Sequence, residues 1–238
     1  IRELAQGIEG DFDKSRRVLS FSEWFEVFCE TPTQHARSAA QYVRDAMLYF
    51  GTEEVRTPGG LVRRFRIFDA YVQEGRALSP DSQDSELPGH AISGRRLVGQ
   101  ERAQNMIFES LEGFCRLGRV DKLLLLHGPN GSAKSTLLEC LQRGLEVYSS
   151  TDEGALYRFA WIFPNENPTG SGIGFGAGLV KDRLGTESFA ALQGKDVDAR
   201  VVDEFKDHPL YLLPQLDRER LLYDVLGDEK DFVVSESV

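Results

Sequence analysis

Four consecutive leucines, Leu123-Leu124-Leu125-Leu126, lead through His127 into Gly128-Pro129-Asn130-Gly131-Ser132-Ala133-Lys134-Ser135-Thr136, and an amphipathic run follows. A short, wholly apolar run suits a parallel strand buried on both faces. Two glycines three residues apart let the next turn bring backbone N–H groups close to an anion, and a lysine followed by Ser-Thr opens a helix whose positive end faces the same point. The apolar positions Leu137, Leu138, Leu141 and Leu145 keep a helical period after it. Strand, glycine turn and helix in this register read as a polyphosphate-binding loop: Lys134 reaching the β- and γ-phosphates, Ser135 holding Mg²⁺, and residues 128–136 binding ATP. One position departs from the pattern, because Ala133 stands where glycine precedes the lysine. If Ala133 has right-handed helical dihedrals its methyl costs the backbone nothing.

Charge narrows the partners. The 238 residues carry 38 acidic and 28 basic side chains, a net of −10, of which residues 151–238 hold −8. A sequence-independent nucleic-acid binder needs a basic surface, so nucleic acid is disfavoured. No apolar stretch approaches the roughly 20 residues that cross a bilayer, so no membrane span is expected. Cys29, Cys115 and Cys140 lie far apart, away from metal-ligand spacing. They read as buried or half-buried thiols of a reducing, cytoplasmic compartment. The four histidines at 35, 90, 127 and 208 suggest no metal site.

Upstream, Ser20 and Ser22 can cap a helix with Phe21, Trp24, Phe25 and Phe28 on one face, ended by Thr31-Pro32. A second helix contains Ala39, Tyr42, Val43, Ala46 and Met47, and the two are expected to form a small helical unit. Residues 55–70 suit a hairpin or extended segment, with Phe65, Ile67 and Phe68 as core. Residues 77–96 read as a linker, giving a division into 1–76, linker, and 97–238. A helix follows from Gln100 to about Leu117, ended by Gly118. The segment Leu97-Val98-Gly99-Gln100 before it resembles one that lies against the adenine base in AAA+ P-loop ATPases, a resemblance that makes Val98 and Gly99 candidate base contacts.

Residues 157–164 read as a second core strand. The alternating glycines of 170–178 read as a mobile surface loop, not the glycine-rich loop of a eukaryotic-type kinase, because the V-A-I-K, H-R-D and D-F-G companions are missing. ATP hydrolysis also needs a carboxylate to hold Mg²⁺ and one to orient water. Asp203 and Glu204 are weak candidates, since Arg200 interrupts the strand that should carry them.

Several of these segments occur together in one family. The Phe21/Trp24/Phe25 helix, the aromatic segment at 65–68, Leu97-Val98-Gly99-Gln100, residues 128–136, Glu153-Gly154-Ala155-Leu156-Tyr157 and His208-Pro209-Leu210-Tyr211-Leu212-Leu213-Pro214 stand in that order. The chain thereby resembles the N-terminal part of the PrkA-type serine protein kinases, which are built on an AAA+ ATPase core. The resemblance implies an α/β P-loop NTPase fold, a parallel sheet flanked by helices with an N-terminal helical extension. It also implies ATP and Mg²⁺ as cofactors, protein substrates phosphorylated on serine, and homo-oligomers of the full-length protein. By that alignment Asp203-Glu204 lies in a connecting segment, and the acids that hold Mg²⁺ would follow residue 238. Two other readings stay open: a protein-remodelling or protease-associated AAA+ ATPase without kinase activity, and a nucleotide sensor that does not hydrolyse ATP.

Overall fold

The computed structural model describes residues 18–69, 72–73, 76–77, 97–164, 180–181, 187–188, 197–227 and 232–235. The glycine-rich stretch at 170–178 and nearly all of the 77–96 linker lie outside them. The chain divides into two compact units, one of Ile1–His35 with Tyr157–Asp228, the other of Ala36–Leu156 with Glu229–Val238.

In the first unit, helix α1 (Phe21–Glu30) begins at a reciprocal cap. The Glu23 N–H donates to Ser20 Oγ at 3.1 Å, and the Ser20 N–H donates to Glu23 Oε2 at 2.9 Å, so two N–H groups that lack intrahelical partners are satisfied by residues three apart. Trp24 and Phe28 are buried. Pro32 does not simply stop the chain but starts a single turn, α2 (Pro32–His35), a position where its missing N–H costs no bond. Strand β5 (Ala160–Pro164) pairs antiparallel with β8 (Val197–Val202), Trp161 facing Val201 and Phe163 facing Ala199. The strand expected at 157–164 therefore exists, but Trp161 and Phe163 are exposed, not core. β6 (Val180–Lys181) and β7 (Glu187–Ser188) form a second short antiparallel pair. A 3₁₀ turn at Pro209–Leu212 then precedes α6 (Gln215–Leu226).

His208 sits under this 3₁₀ turn. Its Nδ1 accepts from the Leu210 N–H at 3.3 Å, which leaves the ring proton on Nε2, and Trp24 meets the ring edge-on at 5.6 Å. Burial pushes its pKa down to about 4, with the charge of His35 acting the same way and a backbone hydrogen bond to His35 opposing. The unfolded chain therefore takes up a proton near pH 6.5 that the folded unit refuses until pH 4. Stability from this group is present above pH 6.5, falls as pH drops from 6.5 to 4, and levels off below that; partial exposure holds the loss to about 2 kcal/mol. In acid unfolding curves, His208→Asn, which keeps an acceptor for Leu210 and loses the titration, should flatten this part of the profile.

The second unit holds the larger core. Helix α3 (Ala39–Tyr49) starts at a second reciprocal cap, Ser38 with Gln41. β1 (Thr52–Thr57) and β2 (Gly60–Phe65) form the expected hairpin, in register from Thr52 opposite Phe65 to Thr57 opposite Gly60. A 3₁₀ turn (Arg66–Phe68) follows, and Phe65, Ile67 and Phe68 are completely buried. β3 (Val72–Gln73) and β4 (Arg76–Ala77) make one short pair. Helix α4 (Glu101–Leu117) ends at Gly118 in the left-handed conformation (φ 65°), as a C-terminal glycine favours. Helix α5 (Lys134–Tyr148) turns Leu137, Cys140, Gly144, Val147 and Tyr148 inward. At Gly144 a side chain would overlap the buried Ile67, so glycine there lets α5 lie close on the 3₁₀ turn.

These units cut across the division at 76 and 97 expected from sequence, and α1 and α3 belong to different units. Cys115 and Cys140 are buried as expected, whereas Cys29 is exposed. Among the described residues every strand pairing is antiparallel. Leu123–Leu126 makes no strand pairing there, and Leu123 and Leu125 are 88% and 79% exposed. An all-apolar strand is buried only where neighbouring strands and helices cover both faces; here Leu126 is partly buried against the core of the second unit, while Leu123, Leu124 and Leu125 stay exposed.

Candidate phosphate-binding site

The glycine turn and the start of α5 form where the sequence places them. The Ser132 N–H donates to the Pro129 carbonyl at 3.3 Å, closing a turn in which Gly131 has φ 81°, a left-handed conformation that glycine adopts without cost. The Ala133 carbonyl then accepts the first helical bond, from Leu137 N–H at 2.9 Å. The N–H groups of the first turn of α5, at Lys134, Ser135 and Thr136, have no intrahelical acceptor and carry the positive end of the helix dipole. Lys134 folds its amine back over the turn, where Nζ donates to the carbonyls of Gly128 and Pro129, both at 2.7 Å, and to Ser132 Oγ at 3.1 Å. Ser135, which would hold Mg²⁺, is exposed at the first helical turn. Among the described residues no group of three or more His, Cys, Asp or Glu could hold a metal.

Ala133 does not meet the condition under which its methyl would cost the backbone nothing. It sits at φ 60°, ψ 19°, in the left-handed region and not the right-handed one, so its methyl is strained there by roughly 1–2 kcal/mol relative to glycine. The departure from the glycine pattern therefore weakens the loop itself. Ala133→Gly should raise stability by about 1 kcal/mol in a denaturant titration and leave nucleotide affinity equal or better. A loss of affinity would mean that the methyl contributes a contact.

The Val98-Gly99 turn lies beside the same helix. Leu97 is buried, its N–H donates to the Phe68 carbonyl at 3.3 Å, and its backbone bonds the Cys140 thiol. Cys140 stands six residues beyond Lys134, about 9 Å along α5. Val98 is 81% exposed, and Gly99 and Gln100 both have positive φ. Sequence reasoning missed what secures this turn. The wholly buried Gln104 accepts from the Phe65 N–H at 3.0 Å and donates to the Gly99 carbonyl at 3.3 Å. Its signal was available, a polar residue in register with Phe108, Leu111 and Cys115 on the apolar face of α4.

Arg37 was missed too. Its buried guanidinium donates to Tyr148 Oη at 2.6 Å, to the Glu153 carbonyl at 2.7 Å and to Asp45 at 3.4 Å, and it lies over the rings of Tyr42 and Tyr148. The Tyr42 hydroxyl donates to the Gly154 carbonyl at 2.8 Å. Burial pushes the Tyr42 phenol up to about 12, with neighbouring Tyr148 adding to this and Arg37 opposing, so it stays a neutral donor. These bonds tie the Glu153-Gly154 segment, which follows α5, back onto α3.

Asp203 and Glu204 are not brought to the loop within either unit, since they belong to the other one. Asp203 acts locally instead. Its Oδ2 accepts from the Asp207 N–H at 2.7 Å and its carbonyl from the Lys206 N–H at 3.3 Å, closing a turn. That is the solvated turn read from sequence as the alternative to a catalytic acid.

A tight glycine turn, Lys134 folded over it and the start of α5 beneath bring a cation and the N–H groups of a helix N-terminus to one place. Over 93 residues the chain is 34% identical to the ATP-dependent protease PrkA of Bacillus subtilis (strain 168), a match covering 37% of this chain and 15% of that protein. The chain is thus related in part to a PrkA-type protein, and the match spans far less than two thirds of that protein's length. No protein-family model matches the chain, and no solved structure matches it. No helix among the described residues is long and apolar enough to cross a membrane.

Proposed function

We propose that residues 128–136 bind Mg²⁺-ATP and that the chain is the nucleotide-binding part of an ATP-dependent protein acting on other proteins. The observation that carries this is the ammonium of Lys134, fastened over the glycine turn at the N-terminal end of α5, where helix dipole, N–H groups and lysine charge converge. Val98 and Gly99 would meet the base, and Ser135 would hold the metal. The same reading makes Leu123–Leu126 the strand of a parallel α/β sheet of the AAA+ kind, its exposed leucines covered by neighbouring strands.

The reaction is read first as phosphoryl transfer to serine in protein substrates, because of the ordered resemblance to the PrkA-type kinases. A cytoplasmic setting and homo-oligomers of the full-length protein belong to that reading. A second reading, an ATP-dependent protease or its ATPase partner, is favoured by the name of the Bacillus protein. Calorimetric titration of this chain with Mg²⁺-ATP, Mg²⁺-tripolyphosphate and AMP tests the binding step. Tripolyphosphate should bind and AMP should bind far more weakly, because Lys134 reads the β- and γ-phosphates; equal binding of AMP and ATP would refute the loop assignment. Incubating γ-labelled ATP with casein then separates the reactions. Labelled serine supports the kinase, and unlabelled fragments that need ATP support the protease.

A further inference from the structure

We infer that Ser132 is a positioning residue for Lys134, and that Gly128 is glycine on account of Ser132 and not of the phosphate. An ammonium has three N–H donors. All three directions at Lys134 end on its own loop: the Gly128 carbonyl at 2.7 Å, the Pro129 carbonyl at 2.7 Å and Ser132 Oγ at 3.1 Å. Two acceptors are fixed by the backbone and one depends on a side-chain rotamer. The Ser132 hydroxyl thus sets the third direction of an otherwise rotatable group.

Gly128 shows why the hydroxyl can be there. Its φ lies outside the left-handed region, unlike that of Gly131, so its backbone makes no demand for glycine. A Cβ on Gly128 would lie 2.8 Å from Ser132 Oγ but 3.5 Å from Ser132 Cβ, an ordinary contact. An added methyl is accommodated only by rotating the hydroxyl away, which takes it off Lys134. The two glycines of the motif therefore serve different ends, Gly131 a backbone conformation and Gly128 the seat of a hydroxyl. The longest of the three lysine bonds, to a neutral hydroxyl, is also the one that a charged phosphate oxygen replaces most readily. Ser132 keeps the ammonium aimed and yields its place to the anion.

The coupling is a statement about three residues of one loop, while its role in binding rests on the phosphate-site reading above. A double-mutant cycle measures it. Gly128→Ala should weaken Mg²⁺-tripolyphosphate binding about 10-fold alone and about threefold or less when combined with Ser132→Ala. In ¹⁵N NMR the Lys134 ammonium signal should be sharp in the unsubstituted chain and in Ser132→Thr, which keeps the hydroxyl, and broadened by exchange in Ser132→Ala. An equal loss from Gly128→Ala in both backgrounds, or a lysine signal indifferent to Ser132→Ala, overturns the proposal. If the unsubstituted chain binds no tripolyphosphate, the phosphate-site reading fails instead. The cycle is then decided by thermal midpoints, which Gly128→Ala should lower in the presence of Ser132 and leave in place in the Ser132→Ala background.

Discussion

Lys134→Ala should lower ATP affinity by about 10- to 100-fold, with the helix and its fold intact. The change removes charge-assisted hydrogen bonds to the phosphates worth roughly 1.5–3 kcal/mol in all. It also releases the carbonyls of Gly128 and Pro129, which the ammonium now holds at 2.7 Å, so the turn loses its internal clamp as well as its charge. The effect should therefore fall toward the upper end of that range. AMP, which lacks the phosphates that the lysine reaches, should change little. Calorimetry with both nucleotides decides it: an ATP affinity unchanged by the substitution would sink the assignment of residues 128–136.

The largest effect on stability is expected from Arg37→Ala. The guanidinium is buried, and its loss leaves the Tyr148 hydroxyl with only its longer bond to Glu153 Oε1 at 3.4 Å, gives the exposed Glu153 carbonyl over to water, and removes a cation from the faces of two aromatic rings. Asp45 keeps a second partner in Arg44, at 2.6 Å, which limits the damage on that side. Because no buried charge is left unpaired, the loss is that of charge-assisted hydrogen bonds and ring contacts, about 2–3 kcal/mol. The thermal midpoint should fall by roughly 5–10 °C. Arg37→Lys should recover little of it, because one ammonium cannot reach the fork of acceptors that a planar guanidinium spans. A fall of only a degree or two would show that the Glu153-Gly154 segment is held mainly by Tyr42.

Much that was legible in the sequence involves residues within a turn of each other. Ser20 with Glu23 and Ser38 with Gln41 stand three apart, and the bonds that start α1 and α3 need nothing else. Gly118 ends α4 for an equally local reason. The hairpin of β1 and β2 follows from Pro58-Gly59-Gly60 between two β-forming runs. In the candidate site the turn at 128–132 and the start of α5 at Lys134 were readable, because glycines and a helical apolar period dictate them locally. Ala133 was not, since whether a methyl is harmless or strained depends on the sign of one dihedral angle that the residue type leaves open.

The rest was decided in three dimensions. Arg37 finds Tyr148 and Glu153 more than a hundred residues along the chain, and Gln104 finds the Phe65 N–H 39 residues away. A buried polar side chain is stable only with such partners, and no local pattern announces which they are. Strand β5 reads apolar, yet it pairs with β8 at the surface, because burial belongs to what packs on a strand and not to the strand's own composition. By itself the sequence determined the glycine-turn and helix pattern at 128–136, the helix caps and the core segment Phe65, Ile67 and Phe68, all set by short-range bonding and hydrophobic period. Tertiary structure alone decided how Lys134 is aimed, which glycine serves which neighbour, and that Asp203 closes a turn in the other unit, since each depends on groups that only folding brings together.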